Sequence, residues 1–356
     1  MAETRKEAMF WEPQPRNVAL CTLCPHYCRI KDGFYGACGV RKNEGGKLYT
    51  LIYEQAAAIN VDPIEKKPLF HFFPGSRSMS IATVGCNFKC AFCQNWDLSQ
   101  ASKGKERRIN GRMVKPAQVV ALAKEHDCRT IAFTYSEPTI FYEYAYDTAR
   151  LAAESGIWGV FVSNGYITLE PLGKIRPYLF ALNVDLKSFN PDYYTRVLGG
   201  RLQPVLDSLR KMKDLGFWLE ITTLVVPTKN DSDKELSQIA EFIRSLGPEV
   251  PWHVSAFHPD YKMTDLPRTS VSTLRRARKI GLDAGLRYVY TGNIPGDEGE
   301  STSCYNCGTM VIQRLGFQIL DNRLTDGTCP DCGTVIDGVG LDPHGQEKVD
   351  LRTHQS

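Results

Sequence analysis

Between about residues 79 and 293, short runs rich in β-branched and aromatic residues alternate with amphipathic stretches. The runs MSIATVG, TIAFTYS, GVFVSNG, LFALNVDLK, WLEITTLVV, HVSAF and LRYVYTG have the composition and length of strands. Most segments between them carry a helical period. In PAQVVALAKEHD, Pro116 suits a first helical turn, and Val119, Leu122 and Ala123 share one face. In DKELSQIAEFIRSLG, Leu236, Ile239, Ala240 and Ile243 do the same before Gly247 stops the helix. This β/α alternation predicts an α/β fold with a parallel sheet, open or curled into a complete or partial TIM-type barrel. Functional side chains are then expected at the C-terminal ends of the strands.

The flanks break the pattern. Residues 1–78 contain four cysteines, the glycine-rich turns KDGFYGACG and NEGGK, and one strand candidate in KLYTLIYE, which predicts a small, loop-rich, Cys-rich module. After the barrel region 79–293, the segment 294–302 has the composition of a glycine-rich linker. Residues 303–356 carry CYNCGTMVIQRLG and CPDCGTVIDG, the marks of a metal-binding knuckle domain followed by a tail.

Composition adds exclusions. A chain of 356 residues that is 42% apolar can bury a large core. Its 43 basic and 40 acidic side chains are intermixed and leave a net charge of +3, so no electrostatic footprint for nucleic acid or an anionic membrane is present. The charged start MAETRKEAMFWEPQ lacks the apolar core of a signal peptide, and no apolar run reaches membrane-spanning length. A cytoplasmic location is expected.

Of twelve cysteines, eleven fall in three clusters: Cys21, Cys24, Cys28 and Cys38; Cys86, Cys90 and Cys93; and Cys304, Cys307, Cys329 and Cys332. In a reducing compartment, short-spaced thiols point to metal ligation rather than disulfides. Cys128 stands alone and is read as a buried, inert thiol.

The stretch TVGCNFKCAFCQNW sets the central question, because it offers three thiols in a C-x3-C-x2-C spacing directly after the first strand. Three thiolates hold three irons of a 4Fe-4S cluster and leave the fourth iron open; the competing reading is a zinc site completed by a distant histidine. The carboxy-terminal pair of C-x2-C-G knuckles suits a zinc ribbon, or rubredoxin-like iron on the same four thiolates. The amino-terminal C-x2-C-x3-C-x9-C set fits either zinc or a second iron-sulfur cluster that relays electrons to the first, with His26 able to replace one cysteine.

At Cys86, Cys90 and Cys93, with the aromatic Phe92 before the last cysteine, the sequence resembles the radical SAM superfamily. Within it the chain is similar to the pyruvate formate-lyase activating enzymes. It is more similar still to the AmmeMemoRadiSam-system branch, on the phrases CTLCPHYC, DPIEKKPLFHFFPGS and GCNFKCAFCQNW. The resemblance implies that Cys86, Cys90 and Cys93 ligate a 4Fe-4S cluster whose open iron binds S-adenosylmethionine. It also implies reductive cleavage of that cofactor to a 5′-deoxyadenosyl radical that abstracts a hydrogen atom.

In TYSEP, where the activating enzymes carry Gly-Gly-Glu-Pro, it places Ser136 and Glu137 at the cofactor, with Glu137 accepting from the methionyl ammonium. VSNGY places Ser163 and Asn164 there, although Val162 stands where those enzymes have an acid. NVDLKSF places Asp185 and Lys187, with Lys187 pairing with the methionyl carboxylate, and HVSAFHPDYK places His258 near the ribose. Each also has a purely structural explanation: Glu137-Pro138 as a helix cap, Lys187 as a solvated strand end, His258-Pro259 as a turn. Glu220 and Thr222 share a strand face and are candidates for pocket lining, whereas Phe141, Tyr142, Tyr144 and Tyr146 are read as helix packing.

By resemblance the expected function is an oxidoreductase-type, anaerobic activity on a protein or peptide substrate, with flavodoxin or ferredoxin as electron donor. The alternatives are a radical SAM enzyme acting on a small molecule or another macromolecule, and a nonenzymatic iron-sulfur redox or scaffold protein.

Overall fold

The computed structural model describes residues 5–104 and 106–342; the first four residues of the charged start and the tail beyond residue 342 lie outside the described residues. The predicted runs form the consecutive strands β2 Arg77–Ala82, β3 Cys128–Phe133, β4 Trp158–Ser163, β5 Leu179–Asp185, β6 Trp218–Val225, β7 Trp252–Ala256 and β8 Val289–Gly292. They pair in sequence order and all in parallel. Both faces of such strands are covered, so they read as near-continuous apolar runs rather than as alternation.

The sheet gains an eighth strand that the apolar pattern does not show, β1 Ala58–Pro63. It lies antiparallel along β2, with Ala58 opposite Ala82 and Pro63 opposite Arg77. It has a strand neighbour on one side only and is mostly half-buried, so its sequence, AINVDP, carries little apolar signal. Among the described residues β1 and β8 are the two edges of the sheet.

Helices α1 Pro116–Glu125, α2 Tyr142–Glu154, α3 Leu169–Ile175, α4 Leu202–Asp214, α5 Asp233–Leu246 and α6 Val271–Asp283 make the crossovers. Helix α5 begins where Ser232 accepts a hydrogen bond from the Glu235 amide, and it buries Leu236, Ile239, Ala240 and Ile243. In α2, Tyr142 donates to Pro171 O at 2.9 Å and Tyr144 donates to Val114 O, so these aromatic residues pack between layers.

The amino-terminal module consists of two small antiparallel sheets, Trp11–Gln14 with Val18–Cys21 and Arg29–Ile30, and Lys6–Glu7 with Lys47–Thr50 and Arg41–Glu44. Buried Arg41 ties it to the central α/β region through an ion pair with Glu143 of α2. The segment 294–302 is packed rather than extended. Asp297 accepts hydrogen bonds from Thr291 and from the Gly299 amide and caps the short turn Glu298–Glu300. Beyond it, β9 Met310–Leu315 and β10 Gln318–Asn322 form a hairpin.

Glu220 does not line the site. Its carboxylate accepts from the Phe70 amide at 3.0 Å, the His71 amide at 2.8 Å, Trp218 Nε1 at 3.0 Å and His253 Nε2 at 2.7 Å. It therefore anchors the Leu69–Phe73 segment. Burial pushes His71 down to about 4, so the neutral ring donates Nδ1–H to Asp337 O and accepts at Nε2 from Tyr290. This buried network joins the sheet to the carboxy-terminal domain.

Leu182, fully buried in β5, tests how tightly the sheet is packed. Leu182→Ala is expected to cost about 2–5 kcal/mol, from lost apolar burial plus the cavity left behind, read as a lower midpoint of chemical unfolding.

Candidate metal and cofactor site

The loop after β2 holds the three central cysteines against one side of a cavity of about 1430 Å³, a value that includes its open mouth. Cys90 is buried, and Cys86 and Cys93 are partly exposed. Their sulfurs already have polar neighbours: the Phe88 amide donates to Cys86 Sγ at 3.3 Å, Asn164 Nδ2 lies 3.7 Å from the same sulfur, and Ser99 Oγ lies 3.2 Å from Cys93 Sγ. Burial pushes the Cys86 thiol up and that of Cys90 to about 11. The thiolates therefore form readily only when a cationic metal group compensates them.

The loop is braced from outside. The Lys89 amide donates to Leu198 O at 2.8 Å, and a Cβ built on Gly200 would sit 2.3 Å from the Phe88 ring. Glycine at position 200 is thus required by a close approach, not by backbone angle.

Successive strand ends build the opposite wall. After β3, Glu137 is buried and accepts at Oε1 from the Thr139 amide at 3.0 Å, Thr139 Oγ1 at 2.6 Å and Ser163 Oγ at 2.8 Å; Oε2 accepts from the Asn164 amide at 2.8 Å. Burial nevertheless pushes its carboxyl up. Glu137 caps the short 3-10 helix Pro138–Phe141 and lines the cavity at the same time, so the structural and functional explanations of this residue coexist. Ser136 also lines the cavity, and its buried Oγ has no hydrogen-bond partner among the described residues.

Where the activating enzymes resembled by this chain have the first glycine of their motif, Tyr135 adopts φ +61°. A left-handed conformation is costly for tyrosine. Here its hydroxyl donates to Asp62, and Lys67 Nζ lies 4.7 Å from its ring centre.

After β4, Ser163 and Asn164 reach the cavity, and Asn164 Nδ2 also donates to Asn87 Oδ1 at 2.8 Å. After β5, Lys187 Nζ pairs with Asp185 at 2.7 Å. Burial opposes the Lys187 charge, but Asp185 and the neighbouring cysteines outweigh it and raise the ammonium's affinity for its proton. Phe92 is buried on the cavity wall beside Tyr193, with Lys187 Nζ 6.0 Å from its ring centre.

His258 is not among the lining residues. It is exposed beyond the end of β7, 3.4 Å from Pro259 O, and Ser255 lines the cavity instead. Thr222 does line it.

Sequence reasoning missed Lys66, Pro68, Asn293 and Phe317 in the cavity wall. The strand-end rule could have found Asn293, which follows β8 directly. Lys66 and Phe317 arrive from the flanking modules, and no local signal marks them.

Among the described residues, the four carboxy-terminal cysteines form the group whose ligand atoms all lie within 4.8 Å of one another. Cys304 and Cys332 sulfurs are 3.6 Å apart, as are those of Cys307 and Cys329. The two knuckles match: the Gly308 amide donates to Cys304 O and the Gly333 amide to Cys329 O, each at 2.9 Å. Both glycines have positive φ, +79° and +70°, with open space where a side chain would stand, so backbone angle alone accounts for them. Cys21, Cys24, Cys28 and Cys38 line a separate cavity together with His26. Cys128 is buried, apart from all three sets, with its sulfur 3.8 Å from His126 O.

A mostly parallel α/β sheet that presents a three-cysteine loop and a polar wall at its strand ends defines a class of cofactor-dependent proteins. The family described as "Radical SAM superfamily" matches residues 80–243. The protein MJ0808 of Methanocaldococcus jannaschii is 44% identical over 93% of this chain and 99% of its own length. The pyruvate formate-lyase-activating enzyme of Clostridium pasteurianum is 23% identical over 54% of this chain and 84% of its own. A crystal structure of a radical SAM methyltransferase from Sphaerobacter thermophilus superposes with a TM-score of 0.49 at 18% identity, covering 64% of this chain and 71% of that one. The chain belongs to the radical SAM superfamily, which implies a 4Fe-4S cluster and S-adenosylmethionine.

Gly200→Val is expected to push the Phe88 ring and the cysteine loop out of place. The iron bound by the Cys86, Cys90 and Cys93 loop should fall by about half or more while the chain stays folded, a loss in keeping with overpacking of a well-filled site. Iron and sulfide analysis, with circular dichroism, checks it.

Proposed function

We propose that this protein is a radical SAM enzyme that abstracts a hydrogen atom from a protein or peptide substrate, in the manner of an activating enzyme. The observation that carries the reading is that the three thiols of the loop after β2 share one cavity with Glu137, Asn164, Asp185 and Lys187, supplied by the ends of β3, β4 and β5. The fit to the cofactors rests on the donors around the Cys86 and Cys93 sulfurs and on the unpartnered Ser136 hydroxyl. Residues from the ends of β2 through β8 line the same cavity, which supports a sheet curled as a partial barrel.

A bound cluster would supply the one-electron reduction that cleaves S-adenosylmethionine and starts hydrogen-atom abstraction. The chain's own work is positional. Cys86, Cys90 and Cys93 would hold the cluster. Glu137 and Ser136 take the methionyl ammonium, and Lys187, held by Asp185, takes the carboxylate. Asn164 orients the Cys86 sulfur, and Phe92 and Phe88 keep the cluster side of the cavity apolar and dry. A macromolecular substrate is supported by the names of the relatives. A low-potential flavodoxin or ferredoxin is the matching donor, and a cytoplasmic, anoxic setting suits exposed iron and a carbon radical. No helix among the described residues is long and apolar enough to cross a membrane.

For the carboxy-terminal knuckles we propose structural zinc. The 3.6 Å sulfur separations suit four thiolates each about 2.3 Å from one ion. Replacing Cys304 and Cys329 by Ser is expected to release about one zinc per chain and to lower the thermal midpoint, read by metal analysis and calorimetry.

The decisive experiment is anaerobic loading with iron and sulfide, followed by dithionite and S-adenosylmethionine. 5′-Deoxyadenosine and methionine should form in equal amounts; a correctly loaded protein that forms neither is a redox or scaffold protein instead. Lys187→Ala should weaken S-adenosylmethionine binding about 10–100-fold, from loss of a charge-assisted hydrogen bond worth about 1.5–3 kcal/mol. Calorimetric titration of the loaded protein measures it.

A further inference from the structure

We infer that the amino-terminal cavity holds a second 4Fe-4S cluster, which hands electrons singly to the cluster on Cys86, Cys90 and Cys93. The inference rests on the radical SAM reading of that central loop. Sequence spacing left zinc and a cluster open at Cys21, Cys24, Cys28 and Cys38; three structural observations bear on the site, the first of them on the choice between the two.

The first is the arrangement of the sulfurs. Four thiolates on one ion, each about 2.3 Å from it, crowd against one another and leave no free space between them. The carboxy-terminal set has this geometry. The amino-terminal four instead line one small cavity and, among the described residues, do not close to the 4.8 Å that marks the knuckles. The Cys86, Cys90 and Cys93 triad is open in the same way. A cubane interposes four irons and four sulfides, so its thiolates stand farther apart than those around a single ion.

The second is the donor set. The Ala37 amide donates to Cys28 Sγ at 3.4 Å, and Arg41 Nη1 lies 3.7 Å from Cys21 Sγ. Arg41 is 2% exposed and lines the cavity, and its Nε has no hydrogen-bond partner among the described residues. The charge of Arg41 is met by Glu143, so what it brings to the site is a spare Nε–H donor, which suits additional sulfur acceptors. Hydrogen bonds to the sulfurs are also among the levers that set cluster potentials.

The third is position. His26 lies between Cys24 and Cys28, and its Nε2–H donates to the carbonyl of Asn87, the residue after Cys86, at 2.8 Å. A Cβ built on Gly85 would come 2.9 Å from Val40 Cγ1 and 3.4 Å from Cys38 O, so the start of the central cysteine loop packs directly against the amino-terminal one. On the other side, Tyr27 is 50% exposed and Ala37 is also exposed, while Cys21 and Cys38 are buried. The site therefore has one face near solvent and one against the central loop, as a relay needs.

A reduced one-electron carrier of the flavodoxin or ferredoxin type gives one electron to the second cluster and is itself oxidised by one electron. The second cluster gives that electron to the first and returns to its starting state. No bond forms or breaks and no proton moves.

A Cys86→Ala, Cys90→Ala, Cys93→Ala triple variant, loaded anaerobically, isolates the site. It should hold about four irons and about four sulfides per chain, with a reduced-state paramagnetic signal that S-adenosylmethionine does not alter. Zinc without sulfide at the amino-terminal cysteines overturns the inference. In the otherwise intact enzyme, Cys28→Ala should slow carrier-driven S-adenosylmethionine cleavage about tenfold or more and leave the dithionite-driven reaction within about threefold. Equal loss with both reductants, or loss with neither, overturns the relay. Should Cys28→Ala not fold, a redox titration of the unmodified holoenzyme decides: two one-electron steps are expected, only one of them moved by S-adenosylmethionine, and a single step overturns the inference. A protein that carries two clusters and cleaves no S-adenosylmethionine would refute the proposed function and leave the second cluster standing.

Discussion

Three sulfurs spread over eight residues face a common point only when the chain between them is held in a tight, irregular path, and irregular backbone is costly unless its polar groups are satisfied. The loop from Gly85 to Cys93 meets that constraint by borrowing from its surroundings. Leu198 O takes the Lys89 amide, Asn87 Nδ2 reaches Tyr166 O, and the bare edge of Gly200 admits the Phe88 ring. The amino-terminal module closes the remaining side through Val40 and through Cys38, whose carbonyl accepts from Ser102 Oγ. The cysteine loop is thus a product of at least three segments remote in sequence, and the rest of the molecule can be understood as the frame that keeps it in shape.

The polar wall opposite follows a second constraint. Charges in a poorly solvated cavity must be paired or hydrogen-bonded before a ligand arrives. Asp185 keeps Lys187 protonated against its burial, and four donors hold the Glu137 carboxylate in one orientation. In the proposed function such groups need little rearrangement when the amino acid moiety binds, which is the basis of preorganised recognition.

Polar groups at Glu220 serve the opposite purpose. Its four hydrogen bonds are all made within the protein and lock the segment before β2, through the Phe70 and His71 amides, to the Trp218 and His253 rings of β6 and β7. Replacement of one such group would disturb packing, whereas in the proposed function replacement of Lys187 acts on ligand affinity. The same residue type on the same fold therefore carries unlike roles according to what its partners leave unpaired.

Much of this was legible from the chain alone. Buried parallel strands must be short and apolar and their crossovers must be amphipathic, so seven strands of the sheet and the helices at Pro116–Glu125 and Asp233–Leu246 could be read in order. The placement of Glu137, Asn164 and Lys187 followed from strand ends, because a parallel sheet turns that local position into a shared location. Tertiary structure alone decided the contributions whose pairing is remote: the edge strand Ala58–Pro63, Phe317 in the cavity wall, Glu220 turned to anchoring, and His258 left in solvent. It also decided how far apart the sulfurs of each cysteine set stand. Ligand spacing along a chain limits which atoms can converge; the distance at which they stop is set by whatever packs around them.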